Sequence, residues 1–280
     1  MPTIAVTGAT GTIGRLATAL LVSAGHRPRL LAPRPERITG TGLDVARCDY
    51  ADHGSVRAAL EGVDVALFVS GREDADRLAQ HRVFVQGAVD AGVQHLVYTS
   101  FVGASPTSTF TLGRDHGATE EAVVASGIAH TFLRDSFYAE VFALFADESG
   151  VIRGPAGQGR VATVSQHDVA AVAATVLTSP DGHVDTTYDL TGPEALTLTE
   201  IARRLSEVTG REHTYVEETL EQARASRAPY RAPDWQLDAW ISTYTAIRDG
   251  ELETVSDDVE RLLGRPATRF EDAAAQQYLV

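Results

Sequence analysis

Residues 3–14 read TIAVTGATGTIG, and their order decides the fold. A short apolar run with β-branched residues, Thr3 to Thr7, leads into glycines at 8, 11 and 14. The pattern RLATALLVSAG (15–25) follows, with apolar residues at helical spacing and a stop at Gly25. In a strand–turn–helix of this kind Gly8 permits the tight turn and Gly11 lets the backbone approach a pyrophosphate. Gly14 lets the helix pack close to the strand, while the helix N-terminus offers free N–H groups and the positive end of its dipole. A glycine-rich turn without a ligand has the same spacing, so the motif gains its meaning from its neighbours.

Those neighbours repeat the unit. Strand-like runs fall at PRLLA (28–32), LDVARC (43–48), VDVALFV (63–69), HLVYTS (95–100) and AHTFL (129–133), and RVFVQGAVDAG (82–92) is a second helix ending on glycine. Apolar strands alternating with crossover helices predict an α/β fold, a Rossmann-like doubly wound parallel sheet with helices on both faces. After about residue 134 the rhythm changes, predicting a cofactor domain over 1–134 and a smaller α+β C-terminal lobe over 135–280, with exchange of elements between them allowed. In that lobe VIRGPAGQGR (151–160) reads as a glycine-rich turn between short strands. Ser165 with Asp168, and Thr197 with Glu200, carry capping-box spacing at two helix starts. The segment ASRAPYRAPDW (225–235) reads as a loop or lid, and the tail from Trp235 to Val280 as amphipathic helix.

The end of the second strand selects the cofactor. RLLAPRPER (29–37) holds no acid until Glu36 and places Arg34 where a 2′-phosphate would lie, so NADP(H) is favoured over NAD(H). Asp49 and Tyr50, closing the third strand, would flank the adenine.

Composition narrows the partners. Hydrophobic residues are 44% and charged residues 22% of the chain, as in an ordinary globular protein. A net charge of −14 argues against nucleic acid and anionic membranes as partners. No leader-like or membrane-spanning run stands out, and Cys48 is the single cysteine, so a cytoplasmic location is expected. The scattered histidines show no metal-ligand spacing. The chain contains neither lysine nor asparagine, so no step can use a lysine ammonium or an asparagine amide. A homodimer is compatible with the sequence, but no exposed apolar helix marks an interface.

Several motifs in order resemble the NmrA-like atypical short-chain dehydrogenases/reductases: IAVTGATGTIG, CDYAD, LVYTS, EAVVASGIAHTFLRDSFYAE, SGVIRGPAGQGRVATVSQHDVAAVAATVL, LTLTEIARRLSEVTGR and SDDVERLLGRP. The likeness covers nearly the whole chain and is strongest to the bacterial quinone oxidoreductases of the second type and to triphenylmethane reductases. It implies an NADP(H) site with Gly8, Thr10, Gly11, Thr12 and Ile13 at the pyrophosphate and Val69, Ser70 and Gly71 along the ribose side. Thr99 and Ser100 would stand beside the nicotinamide, and Arg134 to Tyr138 would lead into the second lobe across a substrate cleft. Where those relatives commonly read LRN, this chain reads Leu133-Arg134-Asp135, a carboxylate that would repel a phosphate or bind a cationic substrate.

LGRDHGATE (112–120) then poses the chemical question. Typical short-chain dehydrogenases keep a tyrosine and, four residues on, a lysine here, to protonate the alkoxide formed by hydride transfer. Leu112 and His116 occupy those places, and Glu120 matches a glutamate common on this helix. One reading is a reductase of quinones or similar flat conjugated electrophiles, whose delocalised products need little help with protonation. Catalysis would then rest on positioning in a dry cleft. His116 would bond the ribose or relay a proton, Asp135 and Tyr138 are further candidate catalytic groups, and Phe137 with Tyr138 would stack on the small-molecule electron acceptor. A capping or surface role for His116 and a core role for Phe137 are the plainer alternatives. A second reading is a non-catalytic redox sensor that binds NAD(P)(H) and acts through a protein partner; sugar-nucleotide isomerase chemistry is a third.

Overall fold

Six short strands alternate with four helices through the first half of the chain. The computed structural model describes residues 2–276. The strands are β1 (Ile4–Val6), β2 (Arg29–Ala32), β3 (Val45–Arg47), β4 (Val65–Phe68), β5 (His95–Phe101) and β6 (Ala129–Asp135). The helices are α1 (Thr12–Ser23), α2 (His53–Leu60), α3 (Arg77–Asp90) and α4 (Thr111–Ser126). The strands lie in the order β3-β2-β1-β4-β5-β6, and Thr186–Leu190 adds a seventh beyond β6. β1 pairs in parallel with β2 on one side and β4 on the other, Ala5 facing Arg29 and Ala66. Strand order therefore reverses between β1 and β4, and the crevice beyond their carboxyl ends is where open α/β sheets take ligands.

The β-branched and aromatic runs form strands because both their faces are covered: β4 and β5 are buried along their whole length. Phe68 stacks on Phe84 at 4.1 Å and packs on Tyr98 at 4.9 Å, and Tyr50 tilts against Phe84 at 4.8 Å. Such pairs each add roughly 0.5–1.5 kcal/mol beyond their buried area. Cys48 lies in the same core, where burial pushes its thiol up to about 12 and leaves it unreactive.

The chain divides into two compact units, and the expected cut at 134 is one of five crossing points between them. Residues 101–114 join the second unit and residues 169–188 join the first, the latter carrying most of the seventh strand.

The second unit is built on two small strand pairs. β7 (Val151–Gly154) runs parallel to β11 (Thr214–Glu217), and β8 (Arg160–Val161) antiparallel to β10 (Leu196–Thr197). In chain order α5 (Gln166–Thr178) and β9 (Thr186–Leu190) come before β10. The helices α6 (Leu198–Thr209), α7 (Leu220–Arg227), α8 (Asp234–Arg248), α9 (Asp258–Leu263) and α10 (Phe270–Gln276) follow it. Phe142, Ile152, Leu198, Leu205, Ile247 and Phe270 share one apolar core.

Thr197 and Glu200 close the expected capping box. Ser165 and Asp168 do not: Ser165 Oγ accepts from His167 N, and the Asp168 carboxylate is taken by Arg265 and by the backbone and hydroxyl of Thr268. The expected loop at 225–235 is mostly helical, with the end of α7 followed by a 3₁₀ turn at Ala228–Tyr230. Arg227 ties it down, bonding Glu218 and the Arg153 carbonyl and lying over the Tyr244 ring. The tail is helical in three pieces as far as Gln276, and its last four residues lie outside the described residues.

Candidate active site

The turn after β1 distinguishes its three glycines sharply. Gly8 takes a left-handed φ of +59°, and a Cβ there would sit 3.1 Å from Val69 Cβ. A Cβ on Gly14 would come within 2.3 Å of the Gly8 carbonyl oxygen, so this glycine lets α1 start against the turn. Gly11 is different: its φ is −87° and a Cβ would meet only the Gly8 oxygen, at 3.3 Å. Space beside Gly11 is open, no side chain caps α1, and its first turn contains no acid. The first-turn N–H groups have no partner within the helix, which is what an anion requires. Thr10 and Gly11 are exposed, Thr12 is half-buried, and Ile13 is buried beneath them.

Beyond β4 the chain has no regular structure, yet its backbone is held at five points. Val69 N donates to Thr7 Oγ1 at 2.9 Å, and the Val69 carbonyl accepts from the Tyr50 hydroxyl at 2.8 Å. Ser70 N donates to Thr99 Oγ1 at 2.8 Å. Gly71 N donates to His81 Nε2 at 2.8 Å, and the Gly71 carbonyl accepts from Arg77 Nε at 2.9 Å. Tyr50 therefore works from below: its ring lies among Phe68, His81 and Phe84, and its hydroxyl ties the ends of β1 and β4 together. Asp49 is half-exposed, turned toward the Arg47 guanidinium and the Ala51 N–H. Arg34 is exposed just past β2, with no side-chain partner among the described residues.

His116 is neither a cap nor a surface residue. It is buried in the second turn of α4, where Arg77 Nη2 stands 2.9 Å from Nε2 and the Tyr98 hydroxyl 2.9 Å from Nδ1. Burial, then the Arg77 charge, holds its pKa well below the ordinary imidazole value. Since arginine only donates, Nε2 accepts and Nδ1 carries the proton toward Tyr98. Leu112, at the tyrosine place of the same helix, packs into the apolar core of the second unit. Thr99 and Ser100 are buried, and Ser100 Oγ donates to Glu120 at 2.5 Å. Arg134 grips the same carboxylate with two bonds of 2.9 and 2.6 Å.

In the second unit, Asp135 is 2% exposed and its Oδ2 accepts from the half-buried Tyr138 hydroxyl at 2.8 Å. Among the described residues its Oδ1 has no hydrogen-bond partner, and neither do Ser136 Oγ and Glu140 Oε2. Burial pushes the Asp135 carboxyl well above the usual range, and burial followed by the Asp135 charge does the same to Tyr138. Burial thus favours the uncharged form of each group, a pull opposite to the anionic Asp135 expected from the sequence. Phe137 packs on Phe101 and Phe110 at 4.9 and 5.3 Å, the core role that the sequence left open.

Sequence reasoning passed over Arg77 and His81, whose i,i+4 spacing in RLAQH aims both from α3 at one residue, Gly71. It also gave Glu120 no partner. Among the described residues no group of acidic, histidine or cysteine side chains could hold a metal, and no helix is long and apolar enough to cross a membrane.

A family model described as NAD(P)H-binding matches residues 8–180. The crystal structure of the NADPH-dependent quinone oxidoreductase QOR2 from Escherichia coli, complexed with NADPH, superposes with a TM-score of 0.88. It is 32% identical and covers 99% of this chain and 100% of that one. The Citrobacter sp. triphenylmethane reductase complexed with NADP(H) gives 0.86 at 32% identity, over 98% of this chain and 99% of its own. A (4-alkanoyl-5-oxo-2,5-dihydrofuran-3-yl)methyl phosphate reductase from Streptomyces griseus is 36% identical over 98% of this chain and 97% of its own.

Proposed function

The chain belongs to the NAD(P)H-binding, NmrA-like group of short-chain reductases, and from that premise we propose an NADPH-dependent reductase of quinones or similar flat conjugated electrophiles. One observation carries the choice of acceptor. The helix that would hold the alkoxide-protonating pair has Leu112 in an apolar core and His116 closed between Arg77 and Tyr98. A simple ketone would leave a strongly basic alkoxide with no acid at that place. A quinone or a conjugated butenolide leaves a delocalised anion that a modest acid can protonate, and a triarylmethane cation takes up hydride to give a neutral product that needs no proton. The three relatives are named for acceptors of this conjugated kind.

The residues present fit the cofactor. Open space at Gly11, an uncapped α1 free of acids in its first turn, and an exposed unpartnered Arg34 suit a pyrophosphate and a 2′-phosphate. Gly8, Thr10, Gly11, Thr12, Ile13 and Gly14 would hold the pyrophosphate, with Asp49 at the adenine end. Val69, Ser70 and Gly71 would line the ribose, and Thr99 and Ser100 the nicotinamide side, while Tyr50 holds that floor in place. Bound NADPH supplies the hydride. For the proton we assign Tyr138, whose hydroxyl would donate to the reduced acceptor's oxygen and be restored from the neutral Asp135 carboxyl, which solvent then reprotonates. Phe137 shapes the wall behind them.

The test is oxidation of NADPH followed by loss of reduced-nicotinamide absorbance, with a panel of simple quinones and of unactivated ketones. Quinone-dependent oxidation well above the protein-free rate is expected. Rapid ketone reduction without quinone activity would overturn the acceptor class, and tight NADPH binding with no oxidation by any acceptor would favour a sensor.

A further inference from the structure

The Arg77–His81 face of α3 has no counterpart in the chemistry above, yet it bonds both backbone groups of Gly71. His81 Nε2 accepts the Gly71 N–H, so its proton sits on Nδ1, 2.9 Å from Thr119 Oγ1. Thr119 in turn donates to the Asp115 carbonyl at 2.7 Å. Arg77 spends Nε on the Gly71 carbonyl and Nη2 on His116, and turns Nη1 toward the Asp115 carboxylate at 3.5 Å. His116 is fixed behind it by Tyr98. Space at Gly71 is tight, since a Cβ would stand 3.1 Å from His81 Nε2.

The result is one residue, Gly71, gripped at its N–H and at its C=O by one helix. Including the bonds from Thr7, Tyr50 and Thr99, the N–H or C=O groups of Val69, Ser70 and Gly71 are taken with one exception. Among the described residues, the Ser70 carbonyl and its hydroxyl have no partner. A segment without secondary structure has no internal reason to keep one conformation, and five outside bonds supply that reason. The two Ser70 oxygens are what it leaves to offer.

We propose that Arg77 and His81 are positioning residues for the cofactor: their clamp on Gly71 sets the Ser70 carbonyl and hydroxyl as acceptor and donor for the hydroxyls of a bound nicotinamide ribose. This rests on reading residues 3–14 and 69–71 as the dinucleotide site. His116 and Asp115 act one step further out, by holding the Arg77 fork in plane. The clamp contributes to cofactor affinity and leaves acceptor recognition alone.

The experiment compares His81→Leu, which removes the acceptor for Gly71 N–H, with His81→Gln, whose amide oxygen can replace it. NADPH Kd is measured by fluorescence titration, together with KM for NADPH, KM for a simple quinone, and the thermal midpoint. His81→Leu is expected to raise Kd and KM for NADPH about tenfold, as displacement of a positioned group by a fraction of an ångström does, with KM for quinone unchanged. His81→Gln is expected to restore Kd to within about twofold of wild type, with the residual loss set by imperfect geometry. Should His81→Leu fail to fold, Arg77→Lys serves, because one ammonium cannot replace the planar fork that reaches Gly71, His116 and Asp115 together. A folded His81→Leu or Arg77→Lys that binds NADPH like wild type overturns the clamp. So does a His81→Gln no better than His81→Leu. Wild-type protein that binds no NADPH would instead overturn the dinucleotide reading itself.

Discussion

Around Gly71 both ring nitrogens of His81 and of His116 have partners and Arg77 Nη1 has an ion pair but no hydrogen bond, whereas around Asp135 three buried oxygens have no partner among the described residues. Both regions are buried and polar, and both follow a strand of the same sheet. A closed network fixes geometry, since each bond constrains the next. An open one carries a standing cost, as a buried polar atom left unbonded costs about 1–3 kcal/mol. That cost is tolerated where the atom has a use outside the resting structure. On the proposed function, the groups around His81 and His116, the first candidate from the sequence, hold geometry, and the Asp135–Tyr138 pair exchanges a proton.

The largest expected effect breaks the same contrast at the glycine turn. Gly11→Val should weaken NADPH binding by about a hundredfold or more, roughly 3 kcal/mol, while the thermal midpoint changes little. Gly14→Val should damage the fold itself, because its Cβ meets the Gly8 oxygen at 2.3 Å. Calorimetric melting beside fluorescence titration separates the two; equal damage to stability in both would mean that the space at Gly11 is not kept for a ligand. Next in size, Tyr138→Phe and Asp135→Asn should lower kcat for quinone by about ten- to a hundredfold with little change in KM for NADPH, since general acids contribute at least this much. Wild-type kcat in both variants would place proton supply elsewhere and leave the open oxygens unexplained.

How far the sequence could be read follows the same line between local and distant causes. Strands such as HLVYTS and the turn TGATGTIG declare themselves because period and glycine spacing are local. Arg34 is legible for the same reason, as its position past β2 needs only counting. His116 is not, because the partners that close it, Arg77 and Tyr98, lie 39 and 18 residues away. Tyr50 looked like an adenine contact at the strand end, but its hydroxyl bridges to Thr7 and Val69 across two other strands' ends. The capping box at Ser165 failed because Arg265 and Thr268, about a hundred residues on, claim Asp168. A carboxylate at Asp135 follows from its letter; the pull toward its uncharged form follows only from burial.

Arg34 gives a smaller test of an open group on the first unit's surface. Arg34→Ala should raise the Kd for NADPH about tenfold, the worth of a charge-assisted bond to phosphate at an exposed site, and leave NADH binding unchanged. Equal losses for both dinucleotides would remove Arg34 from the 2′-phosphate and leave its exposure without a role.

The smallest effect sharpens the comparison through pH. Asp135 is pushed up by burial, so the folded chain keeps its proton above the pH at which the unfolded chain releases it. The stability tied to that proton is fully present below the unfolded carboxyl value, near 4, and is lost as pH rises through the folded one. His81 runs the other way: burial and the Arg77 charge hold it down at about 3, so its contribution is present above about 6.5 and is lost as pH falls toward 3. Asp135→Asn keeps an acceptor for Tyr138 and cannot ionise. It should therefore raise the thermal midpoint at pH 8 and leave it unchanged at pH 4. His81→Gln should do the reverse, narrowing the stability lost on acidification from pH 7 to pH 4. Parallel curves for Asp135→Asn and wild type would mean that Asp135 is ionised in the folded protein, and the proton assigned to it would have to come from another group.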